Sequence, residues 1–521
     1  MSLTMLMGLL LFVCTDQADA VLPETETVRR SDTSIGGLVA QMTLDEKLAQ
    51  IKCIWMDKTK ILDENGDFSP EKMKSAFPHG VGCIARPQDT IGLEGPAERK
   101  DVNDSTVVRK RSARAPGETV KLTNAIQQWM IEETRLGIPT LFHEEGLHGF
   151  QGRYATSFPQ AIGLASTFDP ALVEEVYAVT AREIRVRGVH HVLSPVVDVA
   201  LDPRWGRIEE TFGEDPYLVS RMGVAAVNGF QGRKSASQIA TDKVLATLKH
   251  MTGHGQPEAG LNVGPAKVPE RVLHEVFFPP FEAAIKEAGV ASVMAGYNEI
   301  DGIPSHANDW LLNDILRTEC RFDGAVVADY FAINELQRRH HLVGSLGEAG
   351  RLALTSGVDM ELPVSIPPSV GQIPAFYYYK PTARRGYAFT ETGPLYGFGF
   401  GLSYSEFEIS KPILYGQTIS VDGQTSVEVT VTNIGDRQAD EVVQLYIRDE
   451  IASVTRPVRE LKGFERVSLA PGGSETVRFA ITPEKLRFFN RSMDRVVEPG
   501  TFEIMVGNSA HSHQSTTLRV E

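Results

Sequence analysis

One pattern recurs from residue 79 to residue 361 of this chain, and it leaves few folds open. A short run of small or β-branched apolar residues stops on polar side chains, and an amphipathic stretch follows before the next run. The run at 79–87 ends on Arg86, and that at 137–142 on His143, Glu144 and Glu145. Residues 190–198 lead to 202–207, 244–248 to Lys249 and His250, and 291–296 to Tyr297 and Asn298. Residues 325–328 lead to Asp329 and Tyr330, and 357–361 closes the series. Helical periodicity fills 122–136, 170–187, 217–231, 270–288 and 309–318. Apolar strands alternating with helices give a parallel sheet with crossover helices. The expected fold is a TIM-like (β/α)8 barrel. Seven runs are recognisable, one short of eight, so one strand must be missing or irregular. In such barrels the C-terminal strand ends converge on the face where chemistry takes place.

The flanking sequence differs. Residues 37–52 read as an amphipathic helix, with Thr43 as its cap and Glu46 at the capping-box position. The polar stretch 98–117 reads as a solvated loop. After residue 363 the β/α pattern stops. Residues 366–404 are rich in Pro, Gly and aromatics and read as an extended connector. Strict alternation then appears at 426–432, 442–447, 476–481 and 502–506, separated by turn residues. This spacing predicts an immunoglobulin- or fibronectin-type sandwich. The expected division is a leader at 1–20, a barrel at 21–364, a connector at 365–405 and a sandwich at 406–521. The leader rests on an apolar run over 5–13 that is too short to span a bilayer and on an Ala18-Asp19-Ala20 cleavage pattern. It predicts a secreted or periplasmic protein.

A net charge of −15 argues against nucleic acid or an anionic membrane as partner and suits a neutral substrate. No Walker or Rossmann glycine signature is present, and His143 and His148 lack a third ligand at a recognisable spacing, so neither a cofactor nor a metal is expected. Cys53, Cys83 and Cys320 are far apart and read as buried thiols, with at most one disulfide.

The strand ends carry the chemistry. Asp329 beside Tyr330 offers a carboxylate for an oxocarbenium carbon and a ring for a sugar face. Lys249, His250, Glu145 and Arg207 can fix sugar hydroxyls with charge and with donors and acceptors. The ordered segments 42–50, 143–149 (HEEGLHG), 157–170 (SFPQAIGLASTFDP), 194–216, 249–255, 294–304 (MAGYNEIDGIP) and 326–330 (VVADY) resemble glycoside hydrolase family 3. That family contains β-glucosidases and β-xylosidases. The stretch from residue 398 to the C-terminus resembles its fibronectin-type third domain.

The resemblance implies an exo-acting, retaining β-glycosidase with Asp329 as nucleophile. Glu145, Arg207, Lys249, His250 and Tyr297 would bind the glycosyl unit in the −1 subsite, and Tyr330 would line it. Met294, His143 and Glu144 are adjacent positions. The substrate would be a β-linked oligosaccharide or aryl glycoside ending in glucose or xylose. One departure is large. Relatives with this tail carry an α/β domain of roughly 200 residues between barrel and tail, and it supplies the acid/base Glu. Residues 363–374 run directly from the end of one domain to the end of the next. The alternatives are a glycan-binding remnant without turnover, or a substitute acid at His254 or Glu258.

Overall fold

The computed structural model describes residues 35–89, 113–233, 239–362, 398–399, 401, 403–454, 456–490, 492–510 and 513–521. The leader at 1–20 and nearly all of the connector lie outside them. Eight parallel strands form one sheet in sequence order. They are β1 (Cys53–Ile54), β2 (Cys83–Ala85), β3 (Leu141–Glu144), β4 (His191–Val192), β5 (Leu245–Met251), β6 (Ser292–Ala295), β7 (Ala325–Tyr330) and β8 (Met360–Leu362). β8 returns beside β1, which curls the sheet into a barrel.

The missing strand is β1. It has two residues, too few to show a period, and it follows at once on a helix. The expected helix over 37–52 is two helices, Ile35–Gln41 and α1 (Leu44–Ile51), parted at Met42 and Thr43. Thr43 breaks the chain there because its hydroxyl accepts from the Glu46 amide while the Glu46 carboxylate accepts from the Thr43 amide. The strand at 190–198 is shorter than expected: only His191 and Val192 pair regularly, and Val196 rejoins the sheet through a single bridge to Lys249.

The crossover helices follow the sequence more closely. They include α2 (Pro116–Glu133), α3 (Pro170–Arg185), α4 (Pro216–Gln231) and α5 (Pro279–Ala288). Asp169 and Asp215 cap α3 and α4 by accepting from the amides of Leu172 and Leu218, with Pro at the first helical position. Segments Leu273–Phe277 and Trp310–Glu319 are wound as π-helix, which apolar periodicity does not distinguish from α. The polar stretch after residue 98 was expected to be solvated, and in its described end, 113–117, Arg114 departs from that. Arg114 is buried and donates to the carbonyls of Pro87, Asp89 and Gly66. Its guanidinium can satisfy three backbone acceptors at once, which favours burial over hydration.

β7 shows why these runs make strands. Val326, Val327 and Ala328 are inaccessible to solvent, and burying each valine contributes about 1.5–3 kcal/mol. Gly324 opens the strand because a Cβ there would lie 2.3 Å from the Ala291 carbonyl oxygen.

The C-terminal unit is a β-sandwich. Thr425–Asn433 pairs with Ser474–Ile481, Phe407–Ile409 and Ile413–Leu414 in one sheet. The other sheet runs Thr418–Ile419, His513–Val520, Gly500–Gly507, Ala439–Asp449, Glu460–Leu469. Alternate residues such as Val427, Val429 and Val431 fill the space between the sheets. The sandwich docks directly on the barrel. Phe464 packs against Phe168 and Tyr217, with ring centroids at 5.4 and 6.1 Å. Buried Arg456 pairs with Glu275 of the barrel at 2.7 Å.

Candidate active site

The sheet delivers its polar strand ends to one mouth. Asp329 ends the apolar part of β7 and is 5% exposed. Its Oδ1 accepts from the Tyr330 amide at 2.7 Å. Its backbone amide donates to His306 Nε2 at 3.1 Å, which fixes the strand end against the loop after β6. Oδ2 is buried without a hydrogen bond and faces His250 Nε2 at 3.4 Å. Burial raises the Asp329 pKa, against the opposing pull of Arg207 and Lys249, the Tyr330 amide and the nearby Tyr297 hydroxyl.

His250 explains why that oxygen is left open. Asp198 Oδ2 lies 2.7 Å from His250 Nδ1 and also accepts from the His250 amide at 3.2 Å. Arg207 Nη2 lies 3.2 Å from His250 Nε2. A guanidinium only donates, so Nε2 must accept, and the ring proton sits at Nδ1 toward Asp198. Burial pushes Asp198 up to about 8 and holds His250 well below its ordinary value. Glu210 aligns the guanidinium through two bonds of 2.9 and 2.8 Å.

Glu145 sits on the other flank. Arg86 Nη2 and Lys249 Nζ approach its two oxygens at 2.9 and 3.1 Å. Burial would raise this carboxyl, but Lys249 and Arg86 together override it and hold Glu145 at about 2. Arg86 lies over the Trp55 ring at 4.8 Å and the Tyr330 ring at 5.3 Å, and donates to the Tyr330 hydroxyl at 3.2 Å. A cavity of about 330 Å³ opens beside this flank, lined by Arg86, Glu144, Glu145, His148 and Gln151 among others. Burial pushes Glu144 up to about 8, although Arg86 opposes it.

The structure therefore brings together Asp329, Glu145, Arg207, Lys249, His250 and Tyr330. Tyr297 joins them, donating from its hydroxyl to the Tyr330 carbonyl at 2.7 Å. Met294 is placed differently: it is 1% exposed, in the apolar layer with Val327 and Met360 beneath Tyr330. Neither substitute acid is placed to protonate a leaving group. His254 is fully buried between Trp205 and His250 and is held well below its ordinary pKa by burial and by Arg207. Glu258 is exposed and pairs with Lys267 at 3.0 Å.

Sequence reasoning missed four contributors. Arg86 ends a strand as the others do, and Asp198 closes the run at 190–198, so both carried a signal. Trp55 follows the two-residue β1 and His306 lies in the short turn Ser305–Ala307, and neither carried a signal.

The N-terminal domain model of glycosyl hydrolase family 3 matches residues 43–373, and a fibronectin type III-like domain model matches 441–510. A β-xylosidase of Formosa agariphila is 28% identical over 84% of this chain and 98% of its own length. A lysosomal β-glucosidase of Dictyostelium discoideum is 32% identical over 64% of this chain and 39% of its own. A solved β-glucosidase from Erythrobacter marinus superposes with a TM-score of 0.83 at 24% identity, over 93% of this chain and 98% of the other. The chain belongs to glycosyl hydrolase family 3, and its class is glycoside hydrolase. The Formosa alignment runs over 715 residues, more than the 521 of this chain, so that relative carries residues without a counterpart here. Between the two matched regions only residues 374–440 remain.

Proposed function

We propose that this chain is a retaining, exo-acting β-glycosidase that removes terminal β-D-glucosyl or β-D-xylosyl units from oligosaccharides. The observation that carries this reading is the buried Oδ2 of Asp329, without a hydrogen bond and within the influence of the Lys249 and Arg207 cations. A nucleophile must keep one oxygen free, and the Glu145–Lys249 and Arg207–His250 groups offer fixed partners to the hydroxyls of one sugar ring. Attack by Oδ2 on the anomeric carbon would give a covalent glycosyl-enzyme, and water would release the sugar with its configuration retained. β-Xylosidases and β-glucosidases both occur among the similar proteins, so both sugars are kept. The apolar run at 5–13 and the Ala18-Asp19-Ala20 pattern support, as part of the same proposal, a secreted or periplasmic enzyme.

A second reading is supported by the short 374–440 interval. Retaining hydrolysis needs another carboxyl about 5 Å from the nucleophile. Among the described residues, Glu145 is held ionised by two cations, Asp198 and Glu210 are engaged by His250 and Arg207, and Glu144, although pushed up to about 8, is turned to the β2 flank, where it accepts from the Gln88 amide. The second reading is a pocket that binds sugar and forms the adduct but turns over only activated substrates.

One experiment separates the two. Rates are measured on an aryl β-glucoside or β-xyloside and on cellobiose or xylobiose, with and without azide. Efficient disaccharide cleavage supports the full hydrolase. An Asp329 adduct with azide acceleration of the aryl glycoside alone supports the impaired form. Absence of both adduct and turnover would sink the role of Asp329.

A further inference from the structure

We propose that Cys53, Cys83 and His143 form a binding site for a thiophilic closed-shell cation, Zn²⁺ or Cu⁺, just beneath the sugar pocket. The three residues come from β1, β2 and β3, side by side in the barrel. Cys53 and Cys83 stand directly opposite in the parallel register, and His143 follows one strand further on. All three are buried. Their ligand atoms lie within 4.8 Å of one another.

The spacing fits coordination. His143 Nδ1 lies 3.1 Å from Cys83 Sγ and 3.9 Å from Cys53 Sγ. Metal–sulfur bonds of about 2.3 Å and metal–nitrogen bonds of about 2.0 Å at a tetrahedral angle give a sulfur–nitrogen edge of about 3.5 Å, which those two values bracket. Two thiolates and one imidazole are the donor set that soft or borderline cations select.

The second nitrogen of the histidine is also engaged. His143 Nε2 lies 3.1 Å from the Tyr330 hydroxyl. Metal-binding histidines characteristically donate their other N–H to such a partner, which fixes the tautomer. An ion at Nδ1 leaves the ring proton only at Nε2, so the imidazole donates to Tyr330, beside the nucleophile. Binding breaks two S–H bonds, releases two protons to solvent and forms two metal–sulfur bonds and one metal–nitrogen bond, with no change of oxidation state. Ligands from three separate strands leave no spacing signature, so the sequence could not reveal this site.

The test uses the full chain. Metal-free protein is titrated with Zn²⁺ alone and with Cu⁺ alone under reducing, oxygen-free conditions. Bound metal is counted, and its shell is read by X-ray absorption. One equivalent per chain is expected in at least one arm, with two sulfurs at about 2.3 Å. C53S/C83S should weaken binding at least a hundredfold, whereas C320S should leave it unchanged. Metal binding in neither arm, binding indifferent to C53S/C83S, or a Cys53–Cys83 disulfide in the purified protein would each overturn the site. If the double variant fails to fold, Co²⁺ titration of the unaltered chain decides: thiolate-to-cobalt charge-transfer absorption supports the site, and its absence removes it.

Discussion

On the flank built from β2, β3 and β5, Glu145 lies between Arg86 and Lys249 and is held ionised at about 2. On the flank built from β5, β6 and β7, Asp329 is as deeply buried, yet its pKa is raised and one oxygen has no hydrogen bond. Two carboxylates in one pocket thus meet opposite surroundings. A group that holds hydroxyls benefits from complete pairing, because buried ion pairs fix geometry before substrate arrives. A nucleophile loses reactivity with every donor it satisfies, so its charge is sustained from nearby cations and its attacking oxygen is left bare.

The largest expected effect tests the bare side. D329N should lower the rate on an aryl glycoside by about 10⁴-fold or more, measured by initial rates, and should abolish the covalent adduct. Retention of more than a tenth of the rate would end the assignment. The paired side should respond differently. E145A leaves Lys249 and Arg86 facing each other in a buried site, so the fold should lose about 3–5 kcal/mol by denaturant titration. Its sugar affinity should fall with its stability. If E145A lost turnover but kept stability, the two carboxylates would not be dividing labour as their surroundings indicate.

The cation that serves the reactive flank provides a finer test. Arg207 pulls the Asp329 pKa down against burial. Only ionised Asp329 can attack, so the acid limb of kcat/KM should lie above the ordinary aspartate value of about 3.9. R207A removes the pull, and the limb should move to higher pH. A limb that stays fixed or moves down would assign it to another group.

Much of this comparison was legible in the sequence, and what was not has definite causes. Strand ends are read from where an apolar run stops, which located Asp329, Glu145, Lys249 and His250 together. Arg86 closes the run at 79–87, but its role depends on Trp55 and Tyr330 stacking on its guanidinium from two other strand ends. Trp55 follows β1, whose two residues have no period. Asp198 could be seen, but its hold on His250 passes through a single bridge at Val196–Lys249 that no pattern marks. Met294 was expected at the site through the resemblance, and the structure sets it opposite Val327 in the apolar layer on which Tyr330 packs. The sandwich was legible in four alternating strands. Its docking on Phe168 and Glu275 was not, because contacts between domains have no local signature.

The smallest expected effect separates burial from pairing most directly. Asp329 has a folded-state pKa above its unfolded value. Between those two values the native state binds more protons than the unfolded state, so stability falls as pH rises through that window. At neutral pH the charged Asp329 therefore opposes folding. D329N removes the charge and should raise the melting temperature at pH 7. The gain should shrink as pH drops below the unfolded aspartate pKa of about 3.9, where the carboxyl is protonated in both states. Glu145 has the opposite sign, since its depressed pKa adds stability that is lost as pH falls toward about 2. Thermal scans of the unaltered chain and D329N across pH test this. A D329N variant that is less stable at pH 7 would mean that Asp329 is stabilised by its neighbours after all, and the contrast between the two flanks would fail.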